Sequence, residues 1–172
     1  MSLALLMQKM ALNTSLEKPF KVLGGLLTTN LIRMKDRNIE HSDNWATPKE
    51  LYDKLNAEFN FEYDPCPLFS PFDGLAFDWA KSNFINPPYS RKLKEAFVLK
   101  AIEESKKGKL CVMLLPVSTS TKLFHQHILP NAKEIRFLEK RVKFLGTNTK
   151  GEYVTDKAPM HDSMVVVFGA VS

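Results

Sequence analysis

Residues 82–90 read SNFINPPYS, and this stretch decides the organisation of the chain. Phe84 and Ile85 form a short apolar run that is typical of a buried strand. The two prolines that follow end the strand, because a proline has no N–H to give to a sheet ladder. Residues 86–89 are therefore predicted at the carboxyl end of a sheet strand. Ligands bind at that edge in open α/β sheets, so this segment is the first candidate for a functional site.

The residues downstream alternate between helical and strand patterns. A helix is predicted from 91 to 106, closing at Gly108, and the continuous apolar run at 110–115 predicts a strand covered on both faces. The later segments are a helix around 121–129, a strand pair near 134–144, a loop with Gly146 and Gly151, and a last strand at 163–168. This alternation favours an α/β fold with a mainly parallel sheet and a hairpin-like C-terminal end.

A sharp helix start stands upstream at residues 47–50. Thr47 as N-cap, Pro48 at the first helical position and Glu50 at the third form a capping box. Aromatic and polar residues then alternate over 59–63, which predicts a strand that ends at Asp64.

The domain division follows from these elements. Residues 65–78, rich in Pro, Phe and Asp, are predicted to form a loop. Residues 1–40 are interpreted as an N-terminal extension and 41–172 as the domain.

Composition restricts the class of protein. The chain has 172 residues, of which 44% are hydrophobic and 25% charged, as expected of one globular domain. Its two cysteines, Cys66 and Cys111, form no CxxC pair, which argues against a disulfide framework or a zinc ribbon and predicts no metal. No apolar run approaches the roughly 18 residues that span a bilayer, and no signal peptide is recognisable. We expect a soluble cytoplasmic protein without a membrane partner.

The net charge of +5 is concentrated in two segments. Residues 91–109 hold seven basic and three acidic residues, and residues 133–150 hold six basic and two acidic ones. A polyanion such as nucleic acid would explain both segments. Solvated lysines on a helix face are the alternative for either segment taken alone.

The residue types at 86–89 suggest a specific chemistry. The Asn86 amide and an exposed carbonyl can together accept both hydrogens of an exocyclic amine. Pro87 and Pro88 remove two donors and stiffen the loop, and the ring of Tyr89 offers a flat stacking surface. The segment is therefore suited to a planar group that carries an amine.

This motif at a strand end resembles that of amino-group methyltransferases that use S-adenosylmethionine. With its flanks it resembles the phage-type DNA N6-adenine methyltransferases, the small Dam-like family, over residues 43–168. The ordered motifs are Trp45-x-Thr47-Pro48, Asp64-Pro65-Cys66, Asp73-Gly74-Leu75, Asp78-Trp79, Asn86-Pro87-Pro88-Tyr89-Ser90, Leu114-Leu115-Pro116 and Arg141-x-x-Phe144. The resemblance implies an abbreviated Rossmann-like methyltransferase fold in the cytoplasm of a bacterial or phage-infected cell, and a role in protecting phage DNA from restriction.

The resemblance also implies roles for the motif residues. Asn86 and the Pro87 carbonyl would accept hydrogen bonds from the amine of an extruded adenine, on which Tyr89 would stack. The methyl group would move by direct displacement, catalysed mainly by positioning. The residues implied in cofactor binding are Trp45, Thr47, Pro48, Asp64, Pro65, Cys66, Asp73, Asp78 and Asn86.

Several of these residues have another explanation. Thr47 and Pro48 can serve as a helix cap, and Asp73 with Gly74 as a turn. Cys66 follows a proline, as does the nucleophile of cytosine C5 methyltransferases, but a small residue of the cofactor wall or core is favoured. His125 and His127 lie in a helical stretch, where positions two apart face away from each other, which argues against a metal pair.

Double-stranded DNA is the partner that the resemblance implies. Ser90, Lys92, Lys94, Arg141 and Lys143 are the candidate contacts to phosphate or base. For Arg141 the competing interpretation is an internal salt bridge to Glu139 or Glu134, and for each lysine it is solvation. A homodimer is one way to add further DNA contacts.

The chain departs from larger methyltransferases in its length. Only 21 residues separate Asp64 from Asn86, too few for the two βα units that usually lie between the cofactor strand and the catalytic strand. No separate recognition domain fits, which predicts a short or relaxed recognition site. The alternatives are methylation of another amino group (an RNA base, cytosine N4 or a protein glutamine) and a non-catalytic nucleic-acid-binding module.

Overall fold

The computed structural model describes residues 45–68, 70–147 and 152–169. The extension predicted for residues 1–40 lies outside the described residues, as does Gly151. Within the described ranges, no helix has the length and apolar character needed to cross a membrane.

Strands and helices alternate along most of the described chain. The strands are β1 (Trp45–Ala46), β2 (Ser82–Ile85), β3 (Leu110–Pro116), β4 (Glu134–Phe137), β5 (Phe144–Thr147), β6 (Tyr153–Lys157) and β7 (Ser163–Phe168). The helices are α1 (Lys49–Phe59), α2 (Arg91–Lys106), a π-helical segment (Leu123–Ile128) and α3 (Leu129–Asn131). The predictions of α2, β2, β3 and β7 are confirmed, and Gly108, with φ 85°, follows α2 as its predicted closing glycine.

The main sheet has the strand order β2-β3-β7-β4. The prediction of a mainly parallel sheet is wrong, because one of the three strand pairs in this sheet, β2 with β3, is parallel, whereas β7 is antiparallel to both β3 and β4. It follows that β2, β3 and β4 run in one direction and β7 alone runs in the other. All six residues of β7 are buried, so this strand needs neighbours on both edges and takes an interior position. A hydrophobic pattern carries no information on strand direction.

The two faces of this sheet build two apolar layers. One face packs against α1 through Phe84, Val112, Leu114, Val165, Val167, Leu55 and Phe59. The other packs against α2 and the π-helical segment through Ile85, Met113, Leu115, Val166, Phe97, Val98, Phe124 and Ile128. Full burial of each such side chain contributes roughly 1.5–3 kcal/mol. The layers hold the carboxyl ends of β2 and β3 between α1 and α2.

The segment before the main sheet differs from its prediction. Phe59 is the last residue of α1 rather than part of a strand, and Asn60 ends the helix in the left-handed region with φ 49°. Only Tyr63 then forms a bridge, in parallel with Asn83 of β2. The aromatic alternation resembles a strand because Phe59 and Phe61 pack into the same apolar layer. Phe59 does so from the end of α1 and Phe61 from the extended chain that follows.

The predicted capping box is also absent. Pro48 occupies the N-cap position of α1, and no side chain caps the helix. Thr47 instead follows β1, and its buried hydroxyl forms no hydrogen bond within the described ranges. A local pattern that satisfies the cap rule does not decide which residue takes the cap position.

A second, three-stranded sheet has the order β1-β5-β6, with antiparallel pairing throughout. The strand pair predicted near 134–144 is wrong, because β4 and β5 belong to different sheets. Gly146, predicted in a loop, lies buried in β5 opposite Trp45. The strand β6 was not predicted, since four of its five residues are exposed and give no apolar signal.

A buried carboxylate ties the loop before β2 to α2. The Glu104 side chain is fully buried and forms ion pairs with Lys100 (3.0 Å), Lys107 (2.8 Å) and Lys109. It also accepts a hydrogen bond from the main-chain N–H of Trp79 (3.4 Å). The Trp79 indole in turn donates to the carbonyl of Gly74 (2.8 Å), which fixes the loop that carries Asp73.

Candidate active site at the end of strand β2

Asn86 is the first residue after β2 and joins the two sheets. Its Nδ2 donates a hydrogen bond of 2.7 Å to the main-chain carbonyl of Trp45 in β1. This contact determines which end of the amide is the donor, so Oδ1 is the end that can accept from a ligand. Pro87, which follows, is buried and provides a carbonyl but no N–H at the same edge.

Asp64 and Cys66 lie beside Asn86. An Asp64 Oδ1 atom accepts a hydrogen bond from the Cys66 main-chain N–H (2.9 Å), and the Asn86 main-chain N–H donates to the Cys66 sulfur. Burial raises the pKa of Asp64 to about 6, although the hydrogen bonds from Cys66 oppose the rise. The parallel bridge of Tyr63 with Asn83 brings this carboxylate to the end of β2.

The Cys66 thiol is neutral at physiological pH. Burial raises its pKa well above the ordinary value, and the Asp64 carboxylate adds to the effect. A reactive cysteine needs the opposite environment, one that stabilises a thiolate. The geometry thus agrees with a wall residue and argues against a nucleophile.

Two hydroxyl groups near this cluster are buried without a hydrogen-bond partner in the described chain, those of Thr47 and Tyr89. The Tyr89 ring meets Phe144 of β5 edge to face, with centroids 5.9 Å apart. Continuing the β1–β5 register by one residue places Thr47 opposite Phe144. A buried polar atom without a partner costs about 1–3 kcal/mol, so such atoms together mark a place where a ligand group can bind.

The Asp73 turn packs against the Asp64 segment. The Asp73 carboxylate accepts from the Leu75 N–H (3.0 Å), and its carbonyl accepts from the Ala76 N–H (2.9 Å). Gly74 approaches Pro65 so closely that a Cβ at this glycine would lie 1.7 Å from the Pro65 carbonyl oxygen. The turn interpretation is therefore correct, and the turn also holds Asp73 beside the cluster of Asp64, Cys66 and Asn86.

Asp78 lies elsewhere. Its side chain is 80% exposed and forms an ion pair with Lys107 (3.4 Å), next to the C-terminal end of α2. That end of α2 is at the opposite edge of the sheet from Asn86, because α2 begins after β2 ends and runs back along the sheet. Of these two acidic residues implied in cofactor binding, only Asp73 lies next to the Asp64 segment, through the contact of Gly74 with Pro65.

The candidate DNA contacts divide into two groups. Ser90, Lys92 and Lys94 lie immediately before and within the first turn of α2. Arg141 and Lys143 lie exposed just before β5. The Arg141 partner is Asp162 (3.4 Å), an exposed pair, so the proposed salt bridge to Glu139 or Glu134 is wrong.

Glu134 does not pair with Arg141 because it already pairs with another arginine. Arg136, two residues along β4, forms ion pairs with Glu134 (2.6 Å) and with Glu58 of α1 (2.5 Å). These contacts lower the pKa of both carboxyl groups, chiefly through hydrogen bonds from Arg136. Glu134 is therefore engaged by Arg136, and Arg141 pairs with Asp162 instead.

Sequence reasoning missed a cavity of about 620 Å³ on the other side of the motif. It lies between the first turn of α2 and the π-helical segment, at the carboxyl end of β3. Arg91, Lys94, Lys122, His127, Ser118 and Gln126 contribute its polar lining. Arg91 belongs to a basic segment noted in the sequence, but no sequence signal connects it to Lys122.

Comparison with known proteins gives matches over most of the chain. The profile of the family described as DNA N-6-adenine-methyltransferase (Dam) matches residues 35–170. The DNA N-6-adenine-methyltransferase of Haemophilus phage HP1 (strain HP1c1) is 34% identical over 152 residues, which covers 78% of this chain and 84% of the relative. The region matched by the family profile includes every element from β1 to β7.

Proposed function

The chain belongs to the DNA N-6-adenine-methyltransferase (Dam) family, and we propose that it transfers the methyl group of S-adenosylmethionine to N6 of adenine in double-stranded DNA at the end of β2. The observation that carries the proposal is the hydrogen bond from Asn86 Nδ2 to the Trp45 carbonyl. This bond fixes the Asn86 side chain at the end of β2. Because Nδ2 is the donor, Oδ1 is the atom that can accept from a substrate.

The residues around Asn86 fit the cofactor. S-adenosylmethionine carries a sulfonium and an ammonium group, and Asp64 is a half-buried carboxylate whose pKa burial raises to about 6, while no cation of the described residues lowers it. The Thr47 hydroxyl is buried and lacks a partner in the described chain. We propose that Asp64 and Thr47 bind the polar part of the cofactor, with Trp45, Pro48, Pro65, Cys66 and Asp73 forming the remaining walls.

When bound, the cofactor would supply the methyl group that replaces one hydrogen of the adenine amine; this hydrogen leaves as a proton to solvent, and the sulfonium becomes a neutral thioether. Asn86 Oδ1 and the Pro87 carbonyl each accept a hydrogen bond from one N–H of the adenine amine. The nitrogen lone pair is then directed out of the plane of the base. Pro87 and Pro88 offer no N–H that could compete for the amine. The chain thus contributes positioning, which is where most of the catalytic gain of a direct displacement arises.

Tyr89 is proposed to stack on the extruded base. It remains partly exposed while its ring edge-packs with Phe144, so its position is supported from β5. Stacking of a base on an aromatic ring is worth about 1–3 kcal/mol, which partly offsets the cost of extruding the base. Burial also raises the pKa of the Tyr89 hydroxyl, so the ring stays neutral.

We further propose that the fold is an abbreviated Rossmann-like methyltransferase fold. The support is the direction of the strands: the Tyr63 bridge, β2, β3 and β4 run one way, and β7 alone runs the other way between β3 and β4. The helices α1 and α2 cover opposite faces. The site then lies at the carboxyl edge, as in open α/β sheets.

The test is a methylation assay with labelled S-adenosylmethionine. Duplexes that contain adenine should become labelled, and adenine-free duplexes should not. Asn86→Ala should lose at least about 100-fold in rate, since it removes the acceptor that positions the amine. Asn131→Ala, which removes another asparagine with one side-chain bond to a carbonyl, is the matched control and should retain full rate.

Label in adenine-free DNA, or an equal rate for Asn86→Ala and the wild type, would refute the proposal. Competition with RNA or with a glutamine peptide in the same assay distinguishes the other amino-group substrates. Homodimerisation and a cytoplasmic location remain proposals, and light scattering with and without DNA tests the former.

A further inference from the structure

The lining of the cavity beside α2 has more basic than acidic side chains. Among the described residues, Arg91, Lys94 and Lys122 line it together with a single acidic residue, Glu95. Neither Arg91 nor Lys122 forms an ion pair within the described ranges. By contrast Lys107, Lys109 and Arg136 are all paired with carboxylates.

The position of the cavity relates it to the proposed active site. Arg91 is the first residue of α2 and stands two positions after Tyr89. The apolar floor is formed by Leu115 and Pro116, at the end of the strand next to β2. The cavity thus opens at the carboxyl edge of the sheet, one strand away from Asn86 and on the face opposite α1.

The lining suits a phosphodiester. Ser118, Thr121 and Gln126 add neutral donors to the cations, and the first turn of α2 adds main-chain N–H groups that have no partner within a helix. The cofactor is a poor occupant, because its sulfonium and ammonium would be repelled by Arg91 and Lys122. A volume of about 620 Å³ exceeds what a single phosphate needs and leaves room for the attached sugar.

We propose that this cavity binds the DNA backbone of the target strand next to the extruded adenine, with Arg91 and Lys122 as the phosphate contacts. The inference rests on the proposed function, because the target strand is defined by the base held at Asn86. Extrusion rotates the target nucleotide about its backbone, and phosphate contacts close to the catalytic segment would fix the strand in the position that this rotation requires.

The experiment measures binding of the full chain to a fluorescent adenine-containing duplex by anisotropy over a series of salt concentrations. The double variant Arg91→Ala/Lys122→Ala should weaken binding about 10-fold and reduce the slope of log K against log salt by about 1.8, the value for two lost phosphate contacts. The control Lys81→Ala/Lys106→Ala removes the same charge at the opposite edge of the sheet and should change the slope far less. Thermal unfolding checks that all variants are folded.

The outcomes separate the two proposals. An equal loss of affinity in both double variants would overturn the inference, because it would show only an effect of net charge. Polyglutamate binding that depends on Arg91 and Lys122, with DNA binding that does not, would also overturn it and favour an acidic protein partner. If DNA binding depends on the two residues but the wild type labels no adenine, the cavity assignment stands and the proposed function fails.

Discussion

The side-chain amide of Asn86 is bound to the main-chain carbonyl of Trp45, 41 positions earlier in the chain, at 2.7 Å. This one contact joins the end of β2 in the main sheet to β1 in the small sheet. It also sets the orientation of the amide on which the proposed amine recognition depends. The small sheet thus supports the segment after β2, since it supplies the Trp45 carbonyl and, through β5, the Phe144 ring against Tyr89.

Thr47→Val should have opposite effects on the free and the cofactor-bound protein. The hydroxyl has no partner in the described part of the free protein, so its removal should stabilise that state, by about 1 kcal/mol. The same change should weaken S-adenosylmethionine binding about 10-fold if the cofactor provides the partner. Urea unfolding and calorimetric titration measure the two effects.

Thr121→Val is the matched control for this prediction. The Thr121 hydroxyl donates to the Ser118 carbonyl (2.8 Å) and accepts from the Phe124 N–H (3.2 Å), so its loss should destabilise the protein. Cofactor affinity should not change. If Thr47→Val destabilises the free protein in the same way as Thr121→Val, Thr47 has a structural partner and the assignment to the cofactor is wrong.

Asp64 should make cofactor affinity depend on pH. Burial raises its pKa to about 6 in the free protein, and a cation bound beside the carboxylate would lower it. Affinity for S-adenosylmethionine should therefore increase as the pH rises through about 6 and then level off. Proton release on binding, measured by calorimetry in buffers of different ionisation enthalpy, should peak just below that pH.

Asp64→Asn should remove this pH dependence, and Asp156→Asn, at an exposed position of β6, should leave it in place. The stability of the free protein should depend on pH in the opposite direction to cofactor affinity. Because the folded pKa lies above the ordinary value of 3.8, the Asp64 contribution to stability falls as the pH rises from about 4 to 6. Affinity that is flat across this pH range would contradict a contact between Asp64 and the cofactor cation.

Glu104→Gln should destabilise the protein by about 3 kcal/mol at neutral pH, because it leaves the lysines around a buried position without their carboxylate. Burial opposes ionisation of Glu104, but the hydrogen bonds from Lys107, Lys109 and Lys100 outweigh it and lower its pKa to about 2. This stabilisation is complete above the ordinary pKa of 4.5 and is lost as the pH falls toward 2. Urea unfolding of both proteins over this pH range measures the difference.

Glu103→Gln is the control for Glu104→Gln, since Glu103 shares the ion pair with Lys107 but is 62% exposed. It should change stability by less than about 1 kcal/mol. A wild-type advantage over Glu104→Gln that stays constant down to pH 3 would contradict the role assigned to the ionised carboxylate.

Local signals were sufficient for much of the fold. The apolar runs of β2, β3 and β7 and the stop at Gly108 were read from the sequence, because burial and glycine conformation act over a few residues. The double proline after Ile85 also placed the motif at a strand end. The ordered motifs of residues 45–144 were enough to indicate the family, and the match over residues 35–170 confirms it.

The arrangement of these parts was decided by tertiary structure. A cap pattern at Thr47 was consistent with a helix start, yet Pro48 takes the cap position, and the Thr47 hydroxyl is buried without a hydrogen-bond partner in the described chain. Asp73 and Asp78 looked equivalent in sequence, but the contact of Gly74 with Pro65 holds one beside Asp64 while Lys107 holds the other at the opposite edge.

The sequence by itself thus determined the elements α2, β2, β3 and β7, the position of residues 86–89 at a strand end, and the family. Only the tertiary structure decided the direction of β7, the separation of β4 from β5 and the gathering of Trp45, Asp64 and Asn86. The physical reason is range: propensity, capping and hydrophobic period depend on neighbours in the chain. Strand pairing and side-chain contacts depend instead on segments that are distant in sequence. These segments must bury their apolar faces against each other and pair their polar groups.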